Sequence, residues 1–116
     1  MKHYARKLTA LIIGLAISFG CIAKEFEANQ VSMTDLHFET QPTGILIITG
    51  IGKNKSKATI KTNFVKFNLL QNGIIISSTI DTSTGIKPNQ QWKIYAPIDI
   101  SKGKPDNFEV TDVISN

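Results

Sequence analysis

Apolar and polar residues alternate along most of the chain after residue 30. Residues 31–40 (VSMTDLHFET) alternate in two phases, and the phase changes at Thr34 and Asp35. Because side chains of a strand point alternately to its two faces, this pattern predicts a strand, and the change of phase predicts a bulge. Alternation also predicts strands over residues 59–70, 91–98 and 108–114, and the short β-branched run over residues 45–51, bounded by glycines, predicts a buried strand.

Turn-forming residues separate these runs. Asn72-Gly73 is the strongest of these signals, because both central residues of a type I′ turn need a positive φ. It predicts an antiparallel hairpin in which residues 74–80 form the return strand. Residues 81–89, rich in Thr, Ser, Gly and Pro, are expected to form a loop.

The remaining segments complete an all-β pattern. Gly50 and Gly52 are expected to mark the fraying end of the strand over residues 45–51, and residues 24–30 form a polar lead-in. After residue 24, no stretch of ten residues carries a helical apolar stripe. The chain is therefore predicted to form a small antiparallel β-sandwich, or a partly open barrel, of six to seven strands.

The N-terminal segment has the three parts of a bacterial export signal. Lys2, Arg6 and Lys7 precede an apolar run over residues 8–19, and small or apolar residues follow. A twelve-residue helix spans roughly 18 Å, which is shorter than the roughly 30 Å hydrocarbon core of a bilayer. We therefore expect residues 1–23 to be a signal peptide and residues 24–116 to be a single periplasmic or secreted domain.

Two ways of processing this segment stay open. Ordinary cleavage after Ala23 fits the small residues there, whereas Gly20-Cys21 resembles the end of a lipoprotein box. In the second case, Cys21 is the lipid attachment site and anchors the domain to a membrane. Because Cys21 is the sole cysteine, neither a disulfide nor a thiol nucleophile is expected in the domain.

Charge and length exclude several classes of protein. The formal net charge is +4, but three of the thirteen Lys and Arg residues lie in the predicted signal, which leaves ten against nine acidic residues, or +1. A nearly neutral domain provides no electrostatic attraction for nucleic acid. A chain of 116 residues with this leader has room for one small core and no large cofactor site, so no cofactor is expected.

Residues 44–97 resemble the bacterial FxLYD domain, a small Ig-like β-sandwich of exported proteins. The similar elements are residues 50–54 (GIGKN), 67–73 (FNLLQNG) and 86–96 (IKPNQQWKIYA). Leu70, Gln71 and Asn89 stand where the family has Tyr, Asp and Gly. The resemblance implies an Ig-like sandwich and brings no catalytic residues.

Catalytic and metal-binding residues are few. His37 is the one histidine after residue 24, and it shares a predicted strand face with Asp35 and Glu39. These three would form a weak metal site, and a solvated strand face is the favoured interpretation. A solvated strand is also favoured for the acidic residues near the C-terminus, which lack calcium-loop spacing. We therefore expect neither a metal nor an enzyme.

Candidate interaction residues come from one basic cluster and one aromatic residue. Lys53, Lys55 and Lys57 would contact anionic lipid headgroups, a polysaccharide or an acidic partner. The favoured interpretation is that they protect a sheet edge from unwanted pairing. By alternation, Trp92 is expected in the core and Tyr95 on the surface as an interface anchor. The predicted edges at which a partner adds a strand are residues 91–96 and the strand after the Lys53–Lys57 loop.

These features predict a non-enzymatic exported domain that binds another protein or a cell-envelope component. The alternative is a structural accessory of the envelope, anchored through Cys21 or free, that has no dedicated ligand. An enzyme inhibitor or an enzyme is the least favoured class, because the domain supplies no nucleophile–base pair.

Overall fold

Seven strands and one short 3-10 helix make up the computed structural model, which describes residues 24–28 and 30–116. The predicted signal peptide and Cys21 lie outside the described residues. Every paired strand is antiparallel to its neighbour. The strands are β1 (Lys24–Glu27), β2 (Val31–Thr40), β3 (Leu46–Asn54), β4 (Ile60–Gln71), β5 (Ile74–Ile86), β6 (Gln91–Pro97) and β7 (Asn107–Ser115), with the 3-10 helix (Ile100–Lys102) before β7.

The strands form two sheets, with the orders β1-β2-β3-β6 and β5-β4-β7. In an Ig fold, strands A, B and E are neighbours in one sheet, and strands C′, C and F are neighbours in the other. Strands β2, β3, β4, β5, β6 and β7 take these places in the same chain order, as A, B, C, C′, E and F. Among the described residues, no strand lies beside β7, where strand G would pair. The structure confirms a small all-β sandwich of two antiparallel sheets, in which six of the seven described strands follow the Ig strand order.

The space between the sheets is filled by apolar side chains from both. Phe108 of β7 lies at its centre, with edge-to-face contacts to Phe38 at 5.1 Å and to Phe67 at 5.7 Å between ring centroids. A smaller cluster surrounds Ile60 near the start of β4, and Trp92 packs against both clusters. The buried residues of the main cluster are Met33, Leu36, Ile48, Val65, Phe67, Leu69, Ile94, Ala96, Ile98 and Phe108.

Two local predictions are confirmed. Asp35 has a φ of 59°, and the register between β2 and β3 shifts between Thr34 and His37, so the bulge is where the phase changes. Asn72 and Gly73 have φ values of 52° and 81°, as a type I′ turn requires, and they join β4 to β5.

The predicted loop over residues 81–89 is wrong for its first six residues. Strand β5 continues to Ile86 and pairs with β4 along its whole length. Its inward side chains opposite the core residues of β4 are polar, among them Thr79 and Asp81. A strand whose inward face is polar does not show apolar alternation, which explains why the pattern failed here.

Three smaller corrections concern strand ends and edges. Strand β3 does not fray at Gly50 but pairs through to Asn54, and residues 24–27 of the expected lead-in form β1. Strand β4, which follows the Lys53–Lys57 loop, was predicted to be an edge and is the central strand of its sheet. It therefore offers no free backbone groups to a partner.

Candidate functional site

An open groove of about 440 Å³ lies where β1, β2 and β3 end, and it contains two of the predicted lysines. Lys53 and Lys55 line one side, and Glu25 and Glu27 of β1 line the other. Lys55 forms an ion pair with Glu27. Lys57 is exposed in the following loop and does not line the groove. The predicted basic cluster is therefore partly neutralised by acidic residues that the sequence analysis placed in a lead-in.

Tyr95 lies on the outer face of the four-stranded sheet and is 45% exposed, as alternation predicted. Its hydroxyl donates to Gln41 Oε1 over 3.4 Å. Ile51 and Lys93 pair across β3 and β6 on the same face, and both are exposed. Lys53 occupies the next row of that face, beside the groove. We call Ile51, Lys53, Lys93 and Tyr95 the Tyr95 face.

Strand β6 is an edge strand, as predicted, but its outward edge is occupied. The backbone N–H of Tyr95 donates to Asp81 Oδ1 over 2.8 Å, and the hydroxyl of Thr79 donates to the carbonyl of Pro97. Side chains of β5 thus take the backbone groups that an added strand would need. The predicted strand addition at residues 91–96 therefore does not fit the part of β6 from Tyr95 to Pro97.

Asp81 is the most consequential polar residue that the sequence analysis missed. Its second carboxylate oxygen accepts from Trp92 Nε1 over 3.2 Å, so one buried side chain links β5 to two residues of β6. Burial raises the pKa of the Asp81 carboxyl, and the hydrogen bonds from the Tyr95 N–H and the Trp92 side chain oppose that rise. The residue closes this side of the sandwich.

Trp92 is half-buried and lies against a position that has no side chain. A Cβ atom at Gly52 would be 2.4–2.5 Å from three atoms of the indole ring. Glycine therefore makes room for the ring, and Asp81 holds the indole nitrogen. This confirms that Trp92 packs on the core rather than forming an open ligand platform.

Asp35, His37 and Glu39 do come together on β2, in an arrangement poorly suited to a metal. His37 lies 3.7 Å from a carboxylate oxygen of each acidic neighbour. Its Nδ1 is 2.6 Å from the carbonyl oxygen of Asp35. Because a carbonyl oxygen can only accept, the Nδ1–H group donates this hydrogen bond. One ring nitrogen is thus already occupied. Within residues 24–28 and 30–116, no group of three His, Cys, Asp or Glu residues has metal-binding geometry.

Asn54 has a structural role. Its Nδ2 donates to the carbonyls of Ala58 and Ile86, each over 2.9 Å, and its Oδ1 accepts from both the N–H and the hydroxyl of Ser56. The side chain is fully buried. Asn54-Lys55-Ser56 matches the sequence of an N-glycosylation sequon. Its amide is not accessible in the folded domain, and Asn54 instead connects β3, β5 and the loop between β3 and β4.

Lys24 closes the opposite side of the sandwich and was also missed. Its Nζ lies 3.4 Å from the centroid of the Phe108 ring, and it donates to the Phe108 carbonyl and, over 3.0 Å, to Asn107 Oδ1. Burial lowers the pKa of Lys24 to about 7, and nearby Glu109 partly opposes that change. The one sequence signal for this inward position is that Lys24 lies two residues before Phe26 and therefore shares its strand face.

We expect Lys24 to make the stability of the domain depend on pH. The folded-state pKa lies below the ordinary value of 10.5, so the folded state binds fewer protons than the unfolded state between about pH 7 and pH 10.5. The free energy of unfolding should therefore rise with pH across this window, by about 1–2 kcal/mol after allowance for solvent screening. Denaturant unfolding of wild type and Lys24→Met at pH 6.5 and pH 9.5 measures the effect.

The variant serves as the control for every other titrating group. The stability of wild type relative to Lys24→Met should improve at the higher pH. An equal pH dependence in the two proteins would show that the ammonium group is not buried in the folded state.

Within the described part of the chain, no helix is long and apolar enough to cross a membrane. The resemblance of residues 44–97 to the FxLYD domain remains a prediction. Comparison with models of protein families, with curated proteins and with solved structures found no match.

Proposed function

We propose that this protein is an exported, non-enzymatic Ig-like domain that binds another protein or an envelope component through the Tyr95 face. The observation that carries the proposal is the exposed ring of Tyr95 beside Ile51 and Lys93 on one sheet face. Tyrosine is enriched at protein interfaces because its ring supplies apolar area and its hydroxyl supplies a hydrogen bond.

The adjoining groove adds charge of both signs to this surface. Glu25 and Glu27 face Lys53 and Lys55 across it, and the ion pair between Lys55 and Glu27 is solvent-exposed. An exposed ion pair contributes little to stability, so a partner can replace it at low cost. The groove therefore suits a protein partner with a polar rim around an apolar centre.

The non-enzymatic part of the proposal rests on the scarcity of residues that could act as a nucleophile or a base. The segment from residue 24 onwards contains one histidine and no cysteine. The ring of His37 is held by a backbone carbonyl on an exposed strand. Export, to the periplasm or beyond the cell and with or without a lipid on Cys21, rests on the pattern of residues 1–23.

Cross-linking in the intact envelope tests the proposal. We expect wild type to give a stoichiometric cross-linked partner and Tyr95→Ala to lose most of it, with a melting temperature close to that of wild type. Ile80→Ala is the matched control, since Ile80 is 42% exposed on the other sheet.

Two outcomes would contradict the binding function. Diffuse recovery of many proteins from wild type would favour the structural accessory. Equal losses for Tyr95→Ala and Ile80→Ala would show that the Tyr95 face is not the contact surface.

A further inference from the structure

The contact between Lys24 and Asn107 brings an amine and an amide together at the edge of the sandwich. Lys24 Nζ lies 3.0 Å from Asn107 Oδ1, and the lysine is almost completely buried, with 6% of its surface exposed. The two residues are 83 positions apart in the chain, and they belong to β1 and β7. A contact of these two chemical groups is of interest because an amine is a nucleophile and an amide carbon is an electrophile.

The surroundings of Lys24 favour the nucleophilic form of its amine. Burial lowers the pKa of Lys24 to about 7, so a large share of the amine is unprotonated at neutral pH. The ring of Phe108, with its centroid 3.4 Å from Nζ, shields the amine from water. An unprotonated amine has two N–H groups, which match the two acceptors Asn107 Oδ1 and the Phe108 carbonyl. Its lone pair is then left for attack on a carbonyl carbon.

The side-chain amide of Asn107 is polarised as an electrophile. Its Oδ1 accepts from the N–H of Phe108 over 2.8 Å as well as from Lys24. Donors on a carbonyl oxygen stabilise the negative charge that develops there when a nucleophile adds. Because a C=O bond is about 1.23 Å long, Asn107 Cγ is at most about 4.2 Å from Lys24 Nζ. The reacting atoms of a near-attack geometry are about 3–3.5 Å apart, so a movement of about 1 Å brings the two atoms together.

We propose that Lys24 and Asn107 form an intramolecular isopeptide bond in the folded domain. Lys24 Nζ adds to Asn107 Cγ, and the π electrons of the C=O bond move to Oδ1 and return as the Cγ–Nδ2 bond breaks. Nζ loses one proton and Nδ2 gains one, so Nδ2 leaves as ammonia. The product is a secondary amide that joins β1 to β7. The reaction consumes no oxidant, cofactor or other reactant.

Glu109 is the acidic residue positioned to carry the proton. Its negative charge acts on Lys24 and opposes the effect of burial on the lysine pKa. Asn68 Nδ2 donates to Glu109 Oε2 over 3.2 Å, which orients the carboxylate. The Glu109 carboxylate accepts the proton from Nζ, directly or through one water molecule, and returns it to the leaving Nδ2.

The bond provides a covalent link in a chain that cannot form an internal disulfide, since Cys21 is its sole cysteine. A link across 83 positions restricts the unfolded chain in the way that a disulfide does. Strand β1 has four residues and is otherwise attached by hydrogen bonds and packing alone. The inference goes beyond the proposed function and does not depend on whether the Tyr95 face binds a partner.

The pH dependence of stability described for Lys24 belongs to the uncoupled amine. An amide nitrogen does not titrate in this range, so coupled protein lacks this contribution to the pH dependence. The intact mass of the sample identifies which form is present before its unfolding is measured.

Intact-mass spectrometry of the purified, folded protein tests the bond. We expect wild type to be lighter, by one molecule of ammonia, than the mass calculated for its processed chain. Lys24→Arg and Asn107→Ala should have their calculated masses, because each lacks one reacting group, and they also identify the processed N-terminus. Lys66→Arg, the matched control at an exposed lysine of β4, should show the same loss as wild type. Tandem mass spectrometry of a proteolytic digest should locate the link between residues 24 and 107.

The rate of the reaction tests the role of Glu109. In protein purified directly after synthesis, Glu109→Gln should lose ammonia about a hundredfold more slowly than wild type, because an amide does not accept the proton. A wild-type rate in this variant would overturn the assignment of Glu109 as the proton carrier.

Three other results would overturn the bond itself. The full calculated mass for folded wild type would show that the two side chains share only a hydrogen bond. Loss of water instead of ammonia would place the bond at a carboxylate such as that of Glu109. Loss of ammonia that persists in Lys24→Arg would assign it to ring closure between the Asn107 side chain and the backbone nitrogen of Phe108. None of these results would bear on partner binding by the Tyr95 face.

Discussion

Replacement of Asn54 by leucine is expected to lower the free energy of unfolding by about 2–3 kcal/mol. The change removes all the hydrogen bonds of a fully buried side chain and leaves the carbonyls of Ala58 and Ile86 without their amide donor. The N–H of Ser56 also loses its acceptor. A buried polar group left without a partner costs about 1–3 kcal/mol. The Ile86 carbonyl is such a group, whereas the Ala58 carbonyl keeps the hydroxyl of Ser56 as a donor.

Denaturant unfolding measures this effect, and two further variants define its cause. Asn54→Asp keeps an acceptor for Ser56 but loses the donor, so its loss should come from the two carbonyls and from the buried charge. Asn68→Ala removes an exposed amide that donates to Glu109 and should change stability by no more than about 0.5 kcal/mol. A loss below about 1 kcal/mol for Asn54→Leu would show that water replaces the amide.

Gly52→Ala is expected to cost about 2–3 kcal/mol, a large effect for the addition of one methyl group. The new Cβ would overlap the indole ring of Trp92, which cannot move away without breaking its hydrogen bond to Asp81. Overpacking of a fixed core position typically costs 1–3 kcal/mol. Thermal and denaturant unfolding of the purified domain measure the loss.

A double-mutant cycle identifies the clash as the cause. Trp92→Ala alone should lose about 3–5 kcal/mol as a truncation of a large packed side chain. Because the clash needs the ring, Gly52→Ala should add almost nothing in the Trp92→Ala background. Additive losses would mean instead that backbone conformation, rather than the indole, requires glycine at this position.

Local chemistry accounts for the parts of the fold that could be predicted from sequence. The Asn72-Gly73 turn was located correctly because few residues adopt a positive φ, and the bulge at Asp35 was located correctly because the apolar alternation changes phase there. The exposure of Tyr95 followed from simple alternation, since β6 pairs without a bulge. Predictions of this kind depend only on neighbours in the chain.

The inward face of β5 could not be predicted, because one residue changes its register. Next to the turn, Leu70 pairs with Ile75, but Leu69 pairs with Ser77, so a single extra residue lies in β5. A one-residue slip reverses which side chains face the core. It places Ile80 outside and Asp81 inside, which is the reverse of what hydrophobicity alone predicts.

The candidate surface was predicted only in part, for a related reason. The lysines of the groove and Tyr95 were recognised, but the acidic residues that face those lysines belong to β1, a short strand with a single large apolar residue. Lys24 and Asp81 act on residues far away in the chain, Phe108 and Tyr95. Such pairs are created by the packing of the two sheets and leave no local pattern.

The unequal loop lengths of the two sheets set an order of folding events for a chain that is synthesised from its N-terminus. Strands β4 and β5 are joined by a two-residue turn. Strand β3, in contrast, pairs with β6, which is much later in the chain: Lys53 pairs with Gln91, thirty-eight positions further on. The entropic free-energy cost of closing a two-residue loop is about 2–3 kcal/mol lower than that of closing the loop between Lys53 and Gln91. The hairpin therefore forms as soon as it has emerged, while one edge of β3 stays unpaired until residue 97 has followed. That interval is when the nascent domain most needs protection from other chains.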